Sequence, residues 1–170
     1  MLRVTRRFYS STISKPPDAT TTAQQFLTKH HSLPPRVCTQ FLDTNQLQRL
    51  SATLSRPELA KGVPREGTPI PACWHLAYFT PCQLEEELGR DGSDTTFNPP
   101  RPFTRRMWAG GELEWVGGET NRLRVGQEVK EATKLVSALG KRTKAGEDMV
   151  VVGVEKSYET KEGVALIDKR

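Results

Sequence analysis

No stretch of this 170-residue sequence approaches the ~20 consecutive apolar residues that a membrane helix needs. Cysteine is scarce: Cys38, Cys73 and Cys82 form no CxxC pair, and an odd number closes no disulfide framework. Reduced thiols in an intracellular compartment are therefore expected. Histidine is equally sparse, with His30, His31 and His75 and none beyond. Acid is missing altogether from residues 1–17, which carry Arg3, Arg6, Arg7 and Lys15. Those four account for most of the net charge of +5, since the other 21 basic residues face 20 acidic ones. A body so close to neutral has no electrostatic footprint for a phosphate backbone, which argues against nucleic acid as a partner. The hydrophobic share of 35% is lean, yet it suffices for one domain or half of a two-domain protein.

What is present begins with a leader. Residues 1–15, MLRVTRRFYSSTISK, combine arginines with hydroxyl side chains and no acid, the composition of a mitochondrial transit peptide. Arg7-Phe8-Tyr9 before Ser10 also resembles a matrix-protease cleavage pattern. The expected location is the mitochondrial matrix. Residues 16–39 read as a linker or a short lead-in helix, with His30 and His31 in polar surroundings and expected to be solvated. A helix is expected over 44–55, capped by Asp43 or Thr44, with Leu47, Leu50 and Leu54 at helical spacing and Pro57 as its stop. Residues 56–71 are punctuated by proline and glycine and read as loop.

The run 72–79, ACWHLAYF, is apolar all round, so it reads as a buried helix after Pro71. His75 is its only ionisable group, either a hydrogen-bonded core histidine or a ligand contact. Cys73 and His75 are no nucleophile–base pair on a helix, because residues two apart do not face each other. Thr80-Pro81-Cys82-Gln83 reads as a second helix start, with Leu84 and Leu88 on one face and Gly89 as the stop. From Phe97 to Trp115 the sequence is FNPPRPFTRRMWAGGELEW. After the prolines, Phe103, Arg105, Met107 and Ala109 alternate with Thr104, Arg106 and Trp108 in a strand-like pattern broken by Gly110-Gly111. Two readings stand: a bulged strand with arginines reaching to water, or an anionic-ligand contact beside a close backbone approach. Further strands are expected over 129–139, 149–154 and 164–167. A charged hairpin loop over 140–147 and a turn at 161–163 join them. Lys141, Arg142 and Lys144 in that loop form either a solvated tip or a basic patch.

Helices first and a long antiparallel sheet after is the order of an α+β hotdog fold, a sheet wrapped round a buried helix. Several stretches resemble one family in particular: PACWHLAYF (71–79), Leu88-Gly89 with Asp91-Gly92, FNPP (97–100), RRMWAGG (105–111), and Leu123 with Val125-Gly126. Together they are similar to the N-terminal half of the double-hotdog MaoC-like dehydratases. That branch includes fungal mitochondrial 3-hydroxyacyl-thioester dehydratase type 2 and mesaconyl-CoA hydratases. The resemblance covers residues 40–170 as a single hotdog unit. It implies reversible loss of water from a (3R)-hydroxyacyl thioester of coenzyme A or acyl carrier protein, and no cofactor. Its partners would be a second hotdog domain or a second copy, with no membrane involved.

Such chemistry needs a positioned base, a carboxylate-bearing partner and donors for the enolate oxygen. Related hydratases carry acid and base as Asp-x-x-x-x-His in their C-terminal hotdog. Here no aspartate has a histidine five residues on. The resemblance therefore implies a substrate-side half without catalytic residues, in which Arg105, Arg106, Trp108, His75 and Trp74 are the candidate substrate-binding residues. Two other readings remain from the sequence. One is a stand-alone hotdog that binds thioesters or pairs with another hotdog. The other is an unrelated mitochondrial binding protein.

Overall fold

The computed structural model describes residues 18–170, so the expected leader over 1–15 lies outside the described residues. Helix α1 (Ala19–His31) starts where the Asp18 carboxylate accepts from the Thr21 amide at 2.9 Å. Strand β1 (Arg36–Phe41) follows, beginning before residue 40. Helix α2 (Thr44–Thr53) is capped by Asp43 through the Gln46 amide, as its spacing predicts. Pro57 does not merely stop it, because a one-turn helix α3 (Pro57–Ala60) begins there. After a long irregular segment come β2 (Glu112–Trp115), β3 (Glu128–Arg142), β4 (Asp148–Thr160) and β5 (Gly163–Lys169).

All pairings are antiparallel, in the order β1-β3-β4-β5-β2. A five-stranded antiparallel sheet with few helices is the α+β, single-hotdog architecture expected. The sheet has one packed face. On β3, alternation turns Val129, Glu131, Thr133 and Leu135 inward, opposite Tyr158, Lys156 and Val154 of β4. The outward face carries cross-strand ion pairs, Lys134–Glu155 at 2.8 Å and Lys130–Glu159 at 3.8 Å. Register shifts between Leu135 and Ser137, where Val136 is an extra residue, and Ala138 is again buried beyond it.

Two apolar clusters hold the sheet's inner face. The larger gathers Leu42, Leu47, Ile70, Tyr78, Phe79, Val129, Tyr158 and Leu166, among others. The smaller packs Ala23 and Phe26 of α1 on Leu135 and Ala138 of β3. Gly140 permits that docking, since a Cβ there would meet the Ala19–Thr20 backbone at 2.4–2.6 Å.

Four expectations need correction. ACWHLAYF forms only a single 3₁₀ turn, Trp74–Ala77, entered through Cys73 at φ 69°. It is buried on one side alone, with His75, Tyr78 and Phe79 inside and Leu76 exposed. The Thr80–Leu88 helix is absent apart from a short turn at Glu85–Glu87. Leu84 stays 65% exposed, so a helix there would have no apolar face to bury. Residues 103–111 form no regular element and belong to no ladder, and strand structure begins only at Glu112. Finally, His30 is half-buried, its ring 4.5 Å from that of Phe26 and 5.6 Å from that of Phe97, rather than solvated. The β3–β4 and β4–β5 hairpins fall where the glycine-bearing loops predict, with all three strands longer than expected.

Candidate functional site

The inner face of the sheet holds an ionisable cluster in the middle of its apolar core. Glu131 on β3 lies opposite Tyr158 on β4, which lies opposite Leu166 on β5. One rung along, Thr133, Lys156 and Asp168 line up in the same way. The Lys156 ammonium donates to the Glu131 carboxylate at 3.0 Å, and the Thr133 hydroxyl donates to its other oxygen at 2.9 Å. Arg170 grips the buried Asp168 carboxylate with two of its nitrogens. Both buried carboxylates, Glu131 and Asp168, are thus answered by a cation, which their burial requires.

His75 enters this cluster from the 3₁₀ turn. Its ring meets the edge of Tyr158 at 4.8 Å, and Phe79 flanks Tyr158 on another side at 5.0 Å. His75 is 2% exposed and Tyr158 fully enclosed, yet neither the histidine Nε2 nor the phenol oxygen has a hydrogen-bond partner among the described residues. Burial pushes the His75 imidazole down to about 4, against the opposing pull of the Asp168 carboxylate. Burial, reinforced by the nearby Glu131 charge, also raises the Tyr158 phenol. Both groups are consequently neutral at physiological pH. A histidine so weakly basic is a poor acceptor for the proton beside a thioester carbonyl. The cluster can orient or hydrogen-bond a polar group.

The five sequence-derived site residues fall in two places. His75 is buried in the cluster. Trp74 beside it is half-buried against the larger core, with the Arg56 guanidinium 5.9 Å from its ring. Arg105, Arg106 and Trp108 lie instead on the irregular surface segment that leads into β2. Arg105 is exposed, while Arg106 donates to the Asp94 carbonyl at 2.6 Å. Trp108 is 70% exposed, and its ring lies over Gly111, where a Cβ would come within 2.9 Å of both that ring and the Lys169 carbonyl. The close approach at Gly111 thus comes from within the chain, from the Trp108 ring and the Lys169 carbonyl together.

Sequence reasoning missed Glu131, Lys156, Tyr158, Asp168 and Arg170. Their signal was period two: charged and hydroxyl-bearing residues stand at the same strand parity as Val129, Leu135 and Leu166. Taken singly, each resembles a solvent-facing residue. Among the described residues, no three His, Cys, Asp or Glu side chains gather closely enough to hold a metal.

The family model for hydroxyacyl-thioester dehydratase type 2 matches residues 73–170, more than half of the chain. Over 82 residues the chain is 35% identical to the mesaconyl-C(4)-CoA hydratase of Chloroflexus aurantiacus. That alignment covers 47% of this chain and 27% of the relative, so the chain spans only about a quarter of that relative's length. The match includes the His75 turn, the RRMWAGG segment and every strand of the cluster. By these residues the chain belongs to the hydroxyacyl-thioester dehydratase type 2 family, among the MaoC-like hotdog dehydratases.

Proposed function

We propose that this chain is the substrate-side, non-catalytic N-terminal half of a (3R)-hydroxyacyl-thioester dehydratase or hydratase. It serves fatty acid synthesis or acyl-CoA metabolism in the mitochondrial matrix. One observation carries the reading. A family defined by a dehydration reaction is represented here by a chain with no Asp-x-x-x-x-His and no histidine after His75. The base and its carboxylate come from a second hotdog, and this half holds the thioester.

The surface supports such pairing. Among the described residues strand β2 is a sheet edge, and along it and the segment before it Met107, Trp108 and Trp115 are 83%, 70% and 45% exposed. Apolar side chains along an unpaired edge call for a covering partner. Arg105 and Arg106 then meet the phosphates or carboxylate of the carrier, and Trp108 walls the acyl channel. A stand-alone thioester-binding hotdog is the second reading, favoured by the same missing dyad.

The test is to assay the chain for dehydration of (3R)-hydroxyacyl-coenzyme A, alone and with a separately expressed dyad-bearing hotdog of the family. The expected result is thioester binding without turnover alone, and a gain in turnover or affinity on mixing. Binding that no dyad-bearing partner alters supports the second reading. Turnover by the chain alone, or no thioester binding in either setting, overturns the proposal. An Arg105→Ala, Arg106→Ala double variant is expected to weaken thioester binding in the paired form.

A further inference from the structure

A groove of about 320 Å³ opens between the last turn of α1, the start of β1 and the 94–97 loop. Leu33, Pro34, Phe97 and Leu135 supply its apolar lining, with Thr133 and Arg36 among its polar residues. Its volume sits at the small end of the roughly 300–1,000 Å³ of small-ligand clefts. None of the thioester-binding residues named above lines it.

The polar groups around it are mostly committed elsewhere. The Thr133 hydroxyl donates to Glu131 at 2.9 Å, and the Lys134 ammonium pairs with Glu155 at 2.8 Å. The His30 ring packs between Phe26 and Phe97. Arg36 differs. One guanidinium nitrogen donates to the Thr96 hydroxyl at 2.6 Å, and Thr96 in turn is held by Asp94 through its amide and its hydroxyl. That single bond orients the guanidinium. Among the described residues no carboxylate lies within ion-pair distance of it. An oriented guanidinium with spare donors matches a carboxylate, which it can bind in two-pronged fashion. Beside it, Leu33 is 54% exposed and offers apolar surface to whatever enters.

We propose that this groove binds an aliphatic chain of medium length that ends in a carboxylate. The chain lies against Leu33, Phe97 and Leu135, and the carboxylate rests on Arg36. Two sources share that chemistry: a free fatty acid, or the far end of an acyl thioester whose acyl group carries a second carboxylate. The inference stands independently of the thioester reading, because the free acid is tested by itself.

Titration calorimetry on the full chain, with decanoate and with decanol, decides the matter. Decanoate is expected to bind about tenfold more tightly than decanol, as a charge-assisted hydrogen-bonded pair implies. Arg36→Gln is expected to erase that difference, and Leu33→Asp to weaken both ligands. Both positions are exposed, so neither substitution disturbs the core. Coenzyme A thioesters of decanoic and decanedioic acid then separate the sources. A preference for the dicarboxylic thioester assigns the groove to the far end of a bound thioester, and equal binding assigns it to the free acid. Equal affinity for decanoate and decanol, no binding of either, or an unaltered Arg36→Gln variant overturns the proposal.

Discussion

At the residue scale, His75 is where stability and pH meet. Its imidazole falls from an ordinary value of 6.5 to about 4, first because burial penalises the charged form. The groups facing it are Glu131, Lys156, Tyr158, Asp168 and Arg170, and their charges largely oppose one another. A histidine depressed in the folded state leaves stability intact above its unfolded pKa. As pH falls from about 6.5 towards 4, the unfolded chain takes up a proton that the folded one refuses, and stability is lost. The full loss is on the order of 3 kcal/mol. A His75→Phe variant is expected to lose less stability over that interval, and urea unfolding at pH 7 and pH 4.5 measures the difference. Equal losses in the two proteins would show that the imidazole does not control this titration. His75 itself was legible in the sequence as the one ionisable group in an apolar run. Its neighbours were not, because Lys156 and Asp168 are read as polar until strand pairing places them beside a buried turn.

At the scale of elements, the docking of α1 rests on very little side chain. Ala23 and Phe26 meet Leu135 and Ala138, and the backbone at Ala19–Thr20 lies directly over Gly140. A Gly140→Ala substitution has no room for its methyl group, so the helix must lift. The expected cost is about 1–3 kcal/mol, in the range of overpacking a tight contact. Faster hydrogen exchange confined to α1 and the end of β3 would report it, whereas unchanged exchange would mean that the helix is not seated there. The sequence foretold a lead-in helix without its destination, because a glycine late in a strand pattern does not announce what approaches it. It was most reliable where one element carries its own signals. The cap at Asp43, the glycine loop between β3 and β4 and the turn after Thr160 all fall where expected. It failed over 72–88, where good helix residues lack the tertiary surface that would make a helix worth forming.

At the scale of the molecule, the sheet is finished on one face and open at its margins. The outward ion pairs keep one face wet, while the β2 margin carries Met107, Trp108 and Trp115 in exposed positions. The chain alone is therefore expected to self-associate at micromolar concentration. A Met107→Ser, Trp108→Ser double variant is expected to shift it to monomer in sedimentation velocity with an unaltered circular dichroism spectrum. A wild-type chain that stays monomeric throughout would indicate that the margin needs no cover. The hotdog order of the sheet was legible from helix-then-strand succession and from the RRMWAGG stretch. The split of the candidate residues between core and surface was not, since only the three-dimensional chain separates His75 from Arg105 and Trp108.

The extra residue at Val136 has a consequence for how such a chain can vary in length. Leu135 and Ala138 both point inward across it, so the two halves of β3 keep the same inside and outside whether or not that residue is there. Elsewhere in the strand a one-residue insertion or deletion would exchange core and solvent for everything beyond it. Gly153, opposite Ser137, leaves room for the distortion, because a Cβ there would collide with the serine hydroxyl. Position 136 is thus a slack point, where this sheet can be lengthened or shortened by one residue without turning inside out.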